Sequence, residues 1–535
     1  MSVAATRRLD VMLTVTSAAR GTRSCAQSRR AIDGLGAMSM KFTAVSRKKD
    51  LHNWGKLMAA KEYDVIVIGA GSTGENVADR AVKGGLRAVI VEADLVGGEC
   101  SYWACVPSKA LLRPLQALTA AQSVAGAREA ITGTLDVTKI FARRDYFASH
   151  WNDKGQTEWL HGAKIDLVRG HARLDGERKV MVTEKNGSAI ELTALHAVAV
   201  CTGSRAAIPE TPGLAEAKPW TSREATSARE APKRLAIIGG GVVACEMATA
   251  WSRLGTQEVT IIQRGPRLIP NCEPFASASL QSAFERRGVT VLTGTTVRRV
   301  EQNVDGDVEL SLDNGKTIVA DEILVATGRQ AKTDNLGLET VGLEPGSWLE
   351  VDDSMRVQAV AGGWLYAAGD VNHRALLTHM GKYQARICGD AIVARARGKL
   401  DDSNPAPWSP YAATADAAAV PQVIFTEPEV AAVGVTEQEA RARGMTVRAV
   451  DYEIGRVTGA SLHADGYTGQ ARMVVDTDRN VIVGVTLVGP STGELIHAAT
   501  IAVVGAVPLD RLWHAVPSYP TISEIWLRLL ETFGL

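Results

Sequence analysis

Short, β-branched apolar runs ending in glycine turns alternate along this chain with stretches of helical pattern. The first run, YDVIVI from Tyr63 to Ile68, is almost continuously apolar, the mark of a strand buried on both faces of a parallel sheet. A helix is expected after its turn, GAGSTG, and the run AVIVE, ending at Glu92, predicts a second strand. The order strand, turn, helix then recurs in RLAIIGGGVVACEMA, followed by the strand EVTIIQ. VAVCTGSR, ending near Arg205, DEILVATGRQ, ending near Gln330, and WLYAAGDV, ending around Asp370, each read as a strand running into a glycine turn. The stretch DDSNPAPWSPYAATADAAA, residues 401–419, has no apolar periodicity and reads as a linker. Beyond it, RMVVD and VIVGVTLVG predict strands and HAATIAVV and SEIWLRLLE predict helices, an α+β arrangement.

Composition narrows the class. A chain of 535 residues exceeds what one hydrophobic core supports, so three or four domains are expected. With 46% apolar residues, 22% charged residues and a net charge of zero, nothing points electrostatically to nucleic acid or to an anionic membrane. No apolar run reaches membrane-spanning length. Seven cysteines, few and odd in number, argue for a reducing compartment, by default the cytoplasm, in which one pair can be catalytic. Residues 1–57 differ in kind: Arg7, Arg8, Arg20, Arg23, Arg29 and Arg30 lie among Ser, Thr and Ala, with acids only at Asp10, Asp33 and Asp50. That composition is similar to an organellar transit peptide; the other reading is that translation starts at Met58. Either way this N-terminal extension is expected to lie outside the fold.

The glycine turns carry the first chemistry. Gly69, Gly71 and Gly74 would supply a tight turn, close backbone approach to a pyrophosphate and close helix packing, and Glu92 stands where a ribose hydroxyl needs an acidic partner. One such pattern is weak, but Gly239 and Gly241, with Ala244 in the third small position, make a second. Two dinucleotide folds imply two dinucleotides, and a flavin with a nicotinamide is the economical pair. Gly98, Thr202, Gly203, Gly328 and Gly369 are further candidate cofactor contacts, and Asp370 can hold a ribityl hydroxyl, although a lone Asp there is ordinarily a turn residue. The segment GGECSYWACVPSKALL places Cys100 and Cys105 in CxxxxC spacing at the start of a helical stretch, whose N-terminus would lower the nearer thiol's pKa. Alone, such a pair reads first as two small buried hydrophobes.

In this order and approximate spacing GAGSTG, CxxxxC with PSK, GGGVVACE, ATGR, AAGDV and PQVIFTEPEVAAVG resemble the class I pyridine nucleotide-disulfide oxidoreductases, the family of dihydrolipoamide dehydrogenase, glutathione reductase and mercuric reductase, from about Lys61 to Leu530. The resemblance implies an α/β chain with two Rossmann-like domains, for FAD and NAD(P), and a C-terminal α+β dimerisation domain. The corresponding segments are 58–205 and 331–400 for FAD, 206–330 for NAD(P) and 420–535 for dimerisation. It further implies FAD with Glu92 at its adenosine ribose and Asp370 at its ribityl chain, Cys105 as the flavin-facing thiol and Cys100 as the exchanging one. Lys109 and Glu246 are similar to the family's ion pair near the flavin and nicotinamide rings. Electrons would pass from NAD(P)H through FAD and the dithiol to a small disulfide, in a homodimer.

Four departures modify this picture. Ser101, Tyr102, Trp103 and Ala104 stand between the cysteines where the family has CVNVGC or similar; the aromatics either fill the core or shape the acceptor channel for flat molecules. In HAVPSYPTISE, Tyr519 takes the place of the family's histidine base while Glu524 is kept. A phenol is a poor base near neutrality, and His514 either replaces it or caps the preceding helix. After EVTII, Gln263 replaces the acid of NAD-specific folds and Arg264 and Arg267 follow, which favours NADPH over NADH. No cysteine follows Cys388, so the C-terminal pair of mercuric reductase and high-molecular-weight thioredoxin reductase is missing. The leading expectation is an NAD(P)H-oxidising disulfide reductase. A quinone-like acceptor with an auxiliary dithiol, and a redox-sensing flavoprotein, are the alternatives.

Overall fold

The computed structural model describes residues 61–303 and 306–535; the expected N-terminal extension, 1–57, lies outside the described residues. Strand β1 (Lys61–Ile68) is followed by helix α1 (Ser72–Lys83) and strand β2 (Ala88–Glu92), as the apolar runs require. Both strands pair in parallel, Val65 opposite Ala88 and Ile68 opposite Val91, and the last four residues of β1 are buried on both faces.

A seven-stranded sheet is built around this pair, in the order Asp166–Arg169, β2, β1, Ala189–Val200, Lys179–Thr183 and His171–Leu174. Its seventh strand, Leu365–Ala367, pairs in parallel with Ala189–Val200 and comes from much later in the chain. The first dinucleotide fold is therefore interrupted by a second and completed after it. That second fold is a four-stranded parallel sheet in the order Thr290–Thr293, Glu258–Gln263, Arg234–Ile238 and Glu322–Val325. Two strands, Ser204–Ala206 and Arg329–Ala331, pair antiparallel where the chain passes between the folds. The C-terminal part is a five-stranded antiparallel sheet with the helices Ile496–Val504 and Glu524–Phe533.

Glycines set the distance between α1 and the long helix Thr378–Ala396. A Cβ at Gly381 would fall 2.5 Å from Thr73 Oγ1, and one at Gly389 would fall 2.5 Å from Arg80 Cβ. The two helix N-termini thus meet at one end of the seven-stranded sheet, beside the dithiol. The stretch 401–419 is packed rather than tethering: Ala412 and Ala413 are buried and Asp416 pairs with Arg374 at 3.0 Å. No helix among the described residues is long and apolar enough to cross a membrane.

Candidate functional site

The two glycine turns repeat one geometry. Gly69 has φ +100°, and a Cβ there would sit 2.5 Å from the Cys201 carbonyl oxygen; Gly239 has φ +115°, and its Cβ would sit 2.3 Å from the Ala326 carbonyl oxygen. In each fold the first glycine lets the turn pass directly over the end of the neighbouring strand. Gly74 has no room for a side chain either, whereas a Cβ on Gly71 would find nothing closer than Gly98 Cα at 3.9 Å, and one on Gly241 would find nothing within 4 Å. The middle glycines therefore open space at a helix N-terminus, where unpaired N–H groups suit a pyrophosphate.

A cavity of about 520 Å³ begins at this turn and reaches the dithiol, lined among others by Gly71, Glu92, Gly98, Cys100, Thr202 and Asp370. Glu92 accepts from the N–H of Ala70 at 2.6 Å and of Asp94 at 2.8 Å, which aims its carboxylate at the turn. Asp370 follows Gly369 (φ +81°) and accepts from the Ser204 hydroxyl at 2.6 Å, with Arg329 Nε 3.7 Å away. Thr202 Oγ1 is buried without a partner among the described residues, beside Gly203 (φ +73°), whose missing side chain leaves 4 Å clear. In the second fold Gly328 (φ +143°) occupies the matching turn. An orphaned hydroxyl, an open glycine cradle and a helix N-terminus are what a flavin dinucleotide's polar groups need, so these residues fit FAD.

The cysteines lie on two helices, not one. Cys100 is in α2 (Gly98–Tyr102) and Cys105 opens α3 (Cys105–Gln122), with Trp103 and Ala104 breaking the path between them. Cys105 Sγ is 3.1 Å from Thr378 Oγ1. The two thiols share a hydrogen bond that draws Cys105 down, to about 6, with help from Thr378 and the Lys109 ammonium. That same bond and burial push Cys100 up. The pair is thus shifted in opposite directions, and Cys105, at the N-terminus of α3, ionises more readily than Cys100.

Lys109 Nζ lies 2.6 Å from Glu246 Oε2, and Glu246 is only 3% exposed. Glu246 Oε1 accepts from the Phe425 N–H at 3.1 Å, while the Lys109 ammonium sits 4.7 Å from the centre of the Phe425 ring. The ion pair thus joins the dithiol helix, the second dinucleotide fold and the start of the C-terminal sheet.

The two aromatics between the cysteines have different fates. Tyr102 is 2% exposed and its hydroxyl donates to the Val96 carbonyl at 3.0 Å, so it is core. Trp103 carries the Arg223 guanidinium 3.9 Å from its ring centre, and Arg223 is bound to Glu99 at 2.5 Å and Asp94 at 3.3 Å. Trp151 Nε1 donates to the Tyr102 carbonyl at 3.1 Å and the Thr226 hydroxyl to that of Trp103 at 3.0 Å, fastening the loop backbone from both sides. Of the two roles open to the aromatics, core filling is the one that Tyr102 takes. Thr378, Arg223 and Glu99 were not anticipated; only their places in the fold, not a motif, bring them to the site.

In the second fold the Gln263 side chain packs over the glycine turn, 3.0 Å from where a Gly240 Cβ would stand. Arg264 is exposed and makes no hydrogen bond or ion pair among the described residues, whereas Arg267 donates to the Pro270 carbonyl at 2.6 Å. Arg264 is therefore the available cation of the two.

Tyr519, His514 and Glu524 are not brought to the dithiol within one chain. Tyr519 is 73% exposed, and His514 is exposed with no side-chain partner among the described residues, so it does not cap the helix before it. Glu524 is 6% exposed and accepts from the Gly459 N–H at 3.1 Å rather than from Tyr519.

Fold and site together define a two-dinucleotide oxidoreductase with a redox-competent dithiol. The chain belongs to the pyridine nucleotide-disulphide oxidoreductase family: that family's model matches residues 63–395, and the model of its dimerisation domain matches 420–529. A dihydrolipoyl dehydrogenase from Thermus scotoductus is 34% identical over 469 residues, 87% of this chain and 96% of the relative. A mercuric reductase from Staphylococcus aureus is 30% identical over 467 residues, 86% of this chain and 81% of the relative. The HOCl-induced flavoprotein disulfide reductase RclA from Escherichia coli shares the fold with a TM-score of 0.73 at 21% identity, covering 88% of this chain and 99% of that one. The chain is accordingly an FAD-dependent, NAD(P)H-linked oxidoreductase of the disulfide-reductase kind.

Proposed function

We propose that this enzyme oxidises NADPH and reduces a small disulfide through Cys100 and Cys105. The observation that carries the reading is the hydrogen-bonded Cys100–Cys105 pair itself, which draws Cys105 down and pushes Cys100 up, with Thr378 Oγ1 3.1 Å from the Cys105 sulfur. FAD, when bound, supplies the two-electron relay between the nicotinamide and the dithiol. The chain's own residues do the rest. Cys100, once deprotonated, attacks one sulfur of the acceptor; the acceptor's S–S bond breaks and the leaving sulfur takes a proton. Cys105 then attacks the Cys100 sulfur, releasing the second acceptor thiol, which takes a proton, and leaving a Cys100–Cys105 disulfide. Two electrons have passed to the acceptor.

NADPH is favoured by the absence of an acid at Gln263 and the unpaired Arg264 beside it, which can meet a 2′-phosphate without first losing a partner. The dimerisation domain supports a homodimer in which the exposed Tyr519 meets the partner subunit, and the scarcity of cysteines supports a reducing, cytoplasmic setting.

A second reading sends the electrons to a quinone-like acceptor, and the observation that favours it is Tyr519 in place of a basic side chain. Stopped-flow reoxidation of the NADPH-reduced enzyme by a panel of small disulfides and quinones separates the two. Reoxidation by a disulfide that is lost in Cys100→Ser supports the first reading. Reoxidation by quinones alone, unchanged in Cys100→Ser, overturns it.

A further inference from the structure

The peptide between the two cysteine helices is held by groups outside the glycine and cysteine motifs, and these groups meet at one buried cation. Arg144, on the helix Val137–Phe147, is fully buried. Its Nη1 donates to the Thr226 carbonyl at 3.0 Å and to the Ala228 carbonyl at 2.7 Å, at the C-terminal end of the helix Ser222–Ser227. Its Nε donates to the Asp145 carboxylate at 2.7 Å, and its guanidinium lies 5.6 Å from the centre of the Trp151 ring. Its Nη2 is shielded from water and has no partner among the described residues.

From this cation two jaws reach the cysteine loop. One is Trp151, whose indole N–H donates to the Tyr102 carbonyl at 3.1 Å. The other is the helix Ser222–Ser227. Its Thr226 hydroxyl lies 2.8 Å from the Ser222 carbonyl and 3.0 Å from the Trp103 carbonyl, and its Arg223 guanidinium covers the Trp103 ring at 3.9 Å. Two consecutive carbonyls, at the end of α2 and just before α3, are thus held by elements that are both tied to Arg144.

Trp151 reaches its place through an uncommon turn. Ser149, His150 and Trp151 have φ of +50°, +51° and +56°, three successive left-handed residues with no glycine among them. Residues with side chains rarely adopt that conformation, and where it is kept it points to a role for the group the turn presents. The unsatisfied guanidinium nitrogen of Arg144 is a second cost borne at the same place.

We propose that Arg144 and Trp151 are positioning residues that set the dithiol–disulfide equilibrium of Cys100 and Cys105 by clamping the peptide between Tyr102 and Trp103. The proposal rests on the reading that this pair is a redox couple. Reduction breaks the Cys100–Cys105 bond with two electrons, which NADPH supplies through FAD, and the sulfurs take up protons from solvent. In the disulfide the S–S bond itself fixes the two helix ends; in the dithiol only the surrounding protein does. Contacts that hold α2 against α3 therefore restrict the dithiol and leave the disulfide almost unaffected. They raise the effective concentration of one thiol at the other and favour the disulfide. Loosening the clamp shifts the couple toward the dithiol.

The test uses the full-length, FAD-loaded enzyme equilibrated anaerobically in buffers of reduced and oxidised dithiothreitol, with the state of Cys100 and Cys105 trapped by iodoacetamide and read by peptide mass. Trp151→Phe keeps a ring and loses the N–H. It is expected to be half reduced at an about fivefold lower ratio of reduced to oxidised dithiothreitol than wild type, a shift of roughly 20 mV toward less negative potential. Arg144→Met, which releases both jaws, should move the midpoint in the same direction and at least as far. Trp159→Phe, on the neighbouring helix Lys154–Gly162, changes an exposed indole outside the clamp and should leave the midpoint where it is. A Trp151→Phe enzyme that unfolds at a lower temperature yet keeps the wild-type midpoint overturns the proposal, because the turn is then structural only. A shifted midpoint in an enzyme that reduces no disulfide supports the clamp while removing the disulfide acceptor. A wild-type chain that forms no Cys100–Cys105 disulfide at any buffer ratio overturns the redox-couple reading, and the clamp with it.

Discussion

Thr378 Oγ1 stands 3.1 Å from Cys105 Sγ, and with Cys100 on its other side the Cys105 sulfur is held by two polar neighbours. The thiolate form is therefore favoured above pH about 6 and lost as pH falls through that value. In the reduced, FAD-loaded enzyme the thiolate-to-flavin absorption band should persist at pH 7 and fade in acid. Thr378→Val should move the midpoint of its appearance upward by roughly one pH unit, because the thiolate loses a hydrogen bond. A spectrophotometric pH titration reads this directly, and an unmoved midpoint excludes Thr378 from the polarisation.

The Lys109–Glu246 pair is asymmetric: the carboxylate is buried while the ammonium keeps about a third of its surface. Lys109→Met should cost on the order of 2 kcal/mol of stability, after discounting for that exposure, because it strands the Glu246 charge. The double variant Lys109→Met with Glu246→Leu should recover part of the loss. Denaturant unfolding of the single and double variants gives the coupling, and additive losses would mean the pair does not act as a unit.

Tyr102 and Trp103 should behave differently although they are adjacent. Tyr102→Phe leaves the Val96 carbonyl without its donor and should cost about 1 kcal/mol with no change in acceptor preference. Trp103→Ala removes the platform under Arg223 and should loosen the loop that carries both cysteines. The rate at which FAD is released, followed by the recovery of its fluorescence, should rise in Trp103→Ala and stay close to wild type in Tyr102→Phe.

Arg264 and Arg267 should also separate. Arg264→Ala is expected to lower kcat/KM for NADPH by about tenfold and leave NADH nearly unaffected. Arg267→Ala, whose guanidinium is already held by the Pro270 carbonyl, should change the NADPH to NADH ratio far less. Steady-state kinetics with both nucleotides decides, and an NADH preference in wild type would remove the premise.

What could be read from the sequence follows from the range of the forces involved. The runs at 63–68, 88–92 and 258–263 became buried parallel strands because continuous apolarity next to a glycine turn has few other solutions. The strand Leu365–Ala367 was visible as a strand, but its partner, Ala189–Val200, is set by tertiary packing and left no local trace. Gly69 and Gly239 were legible because their φ and the carbonyls they pass over demand glycine. Arg223 and Thr378 were not, since an arginine opening one helix and a threonine opening another look like ordinary surface and cap residues until the fold sets them against Trp103 and Cys105. The linker expected over 401–419 rests on a stretch rich in Pro, Ala and Ser without apolar periodicity, yet its small residues pack closely: Ala412 and Ala413 are buried.

The central claim is that electrons from the nicotinamide pass through the dithiol, and anaerobic titration of the FAD-loaded enzyme with NADPH, watched at the thiolate-to-flavin absorption band, tests it most directly. The account predicts that the band grows with the first equivalent in wild type, is absent in Cys105→Ser, and is present before any reduction in Cys100→Ser, whose Cys105 thiolate has no disulfide partner. A flavin that is reduced with no such band in wild type, and with the same spectrum in Cys105→Ser, would contradict it.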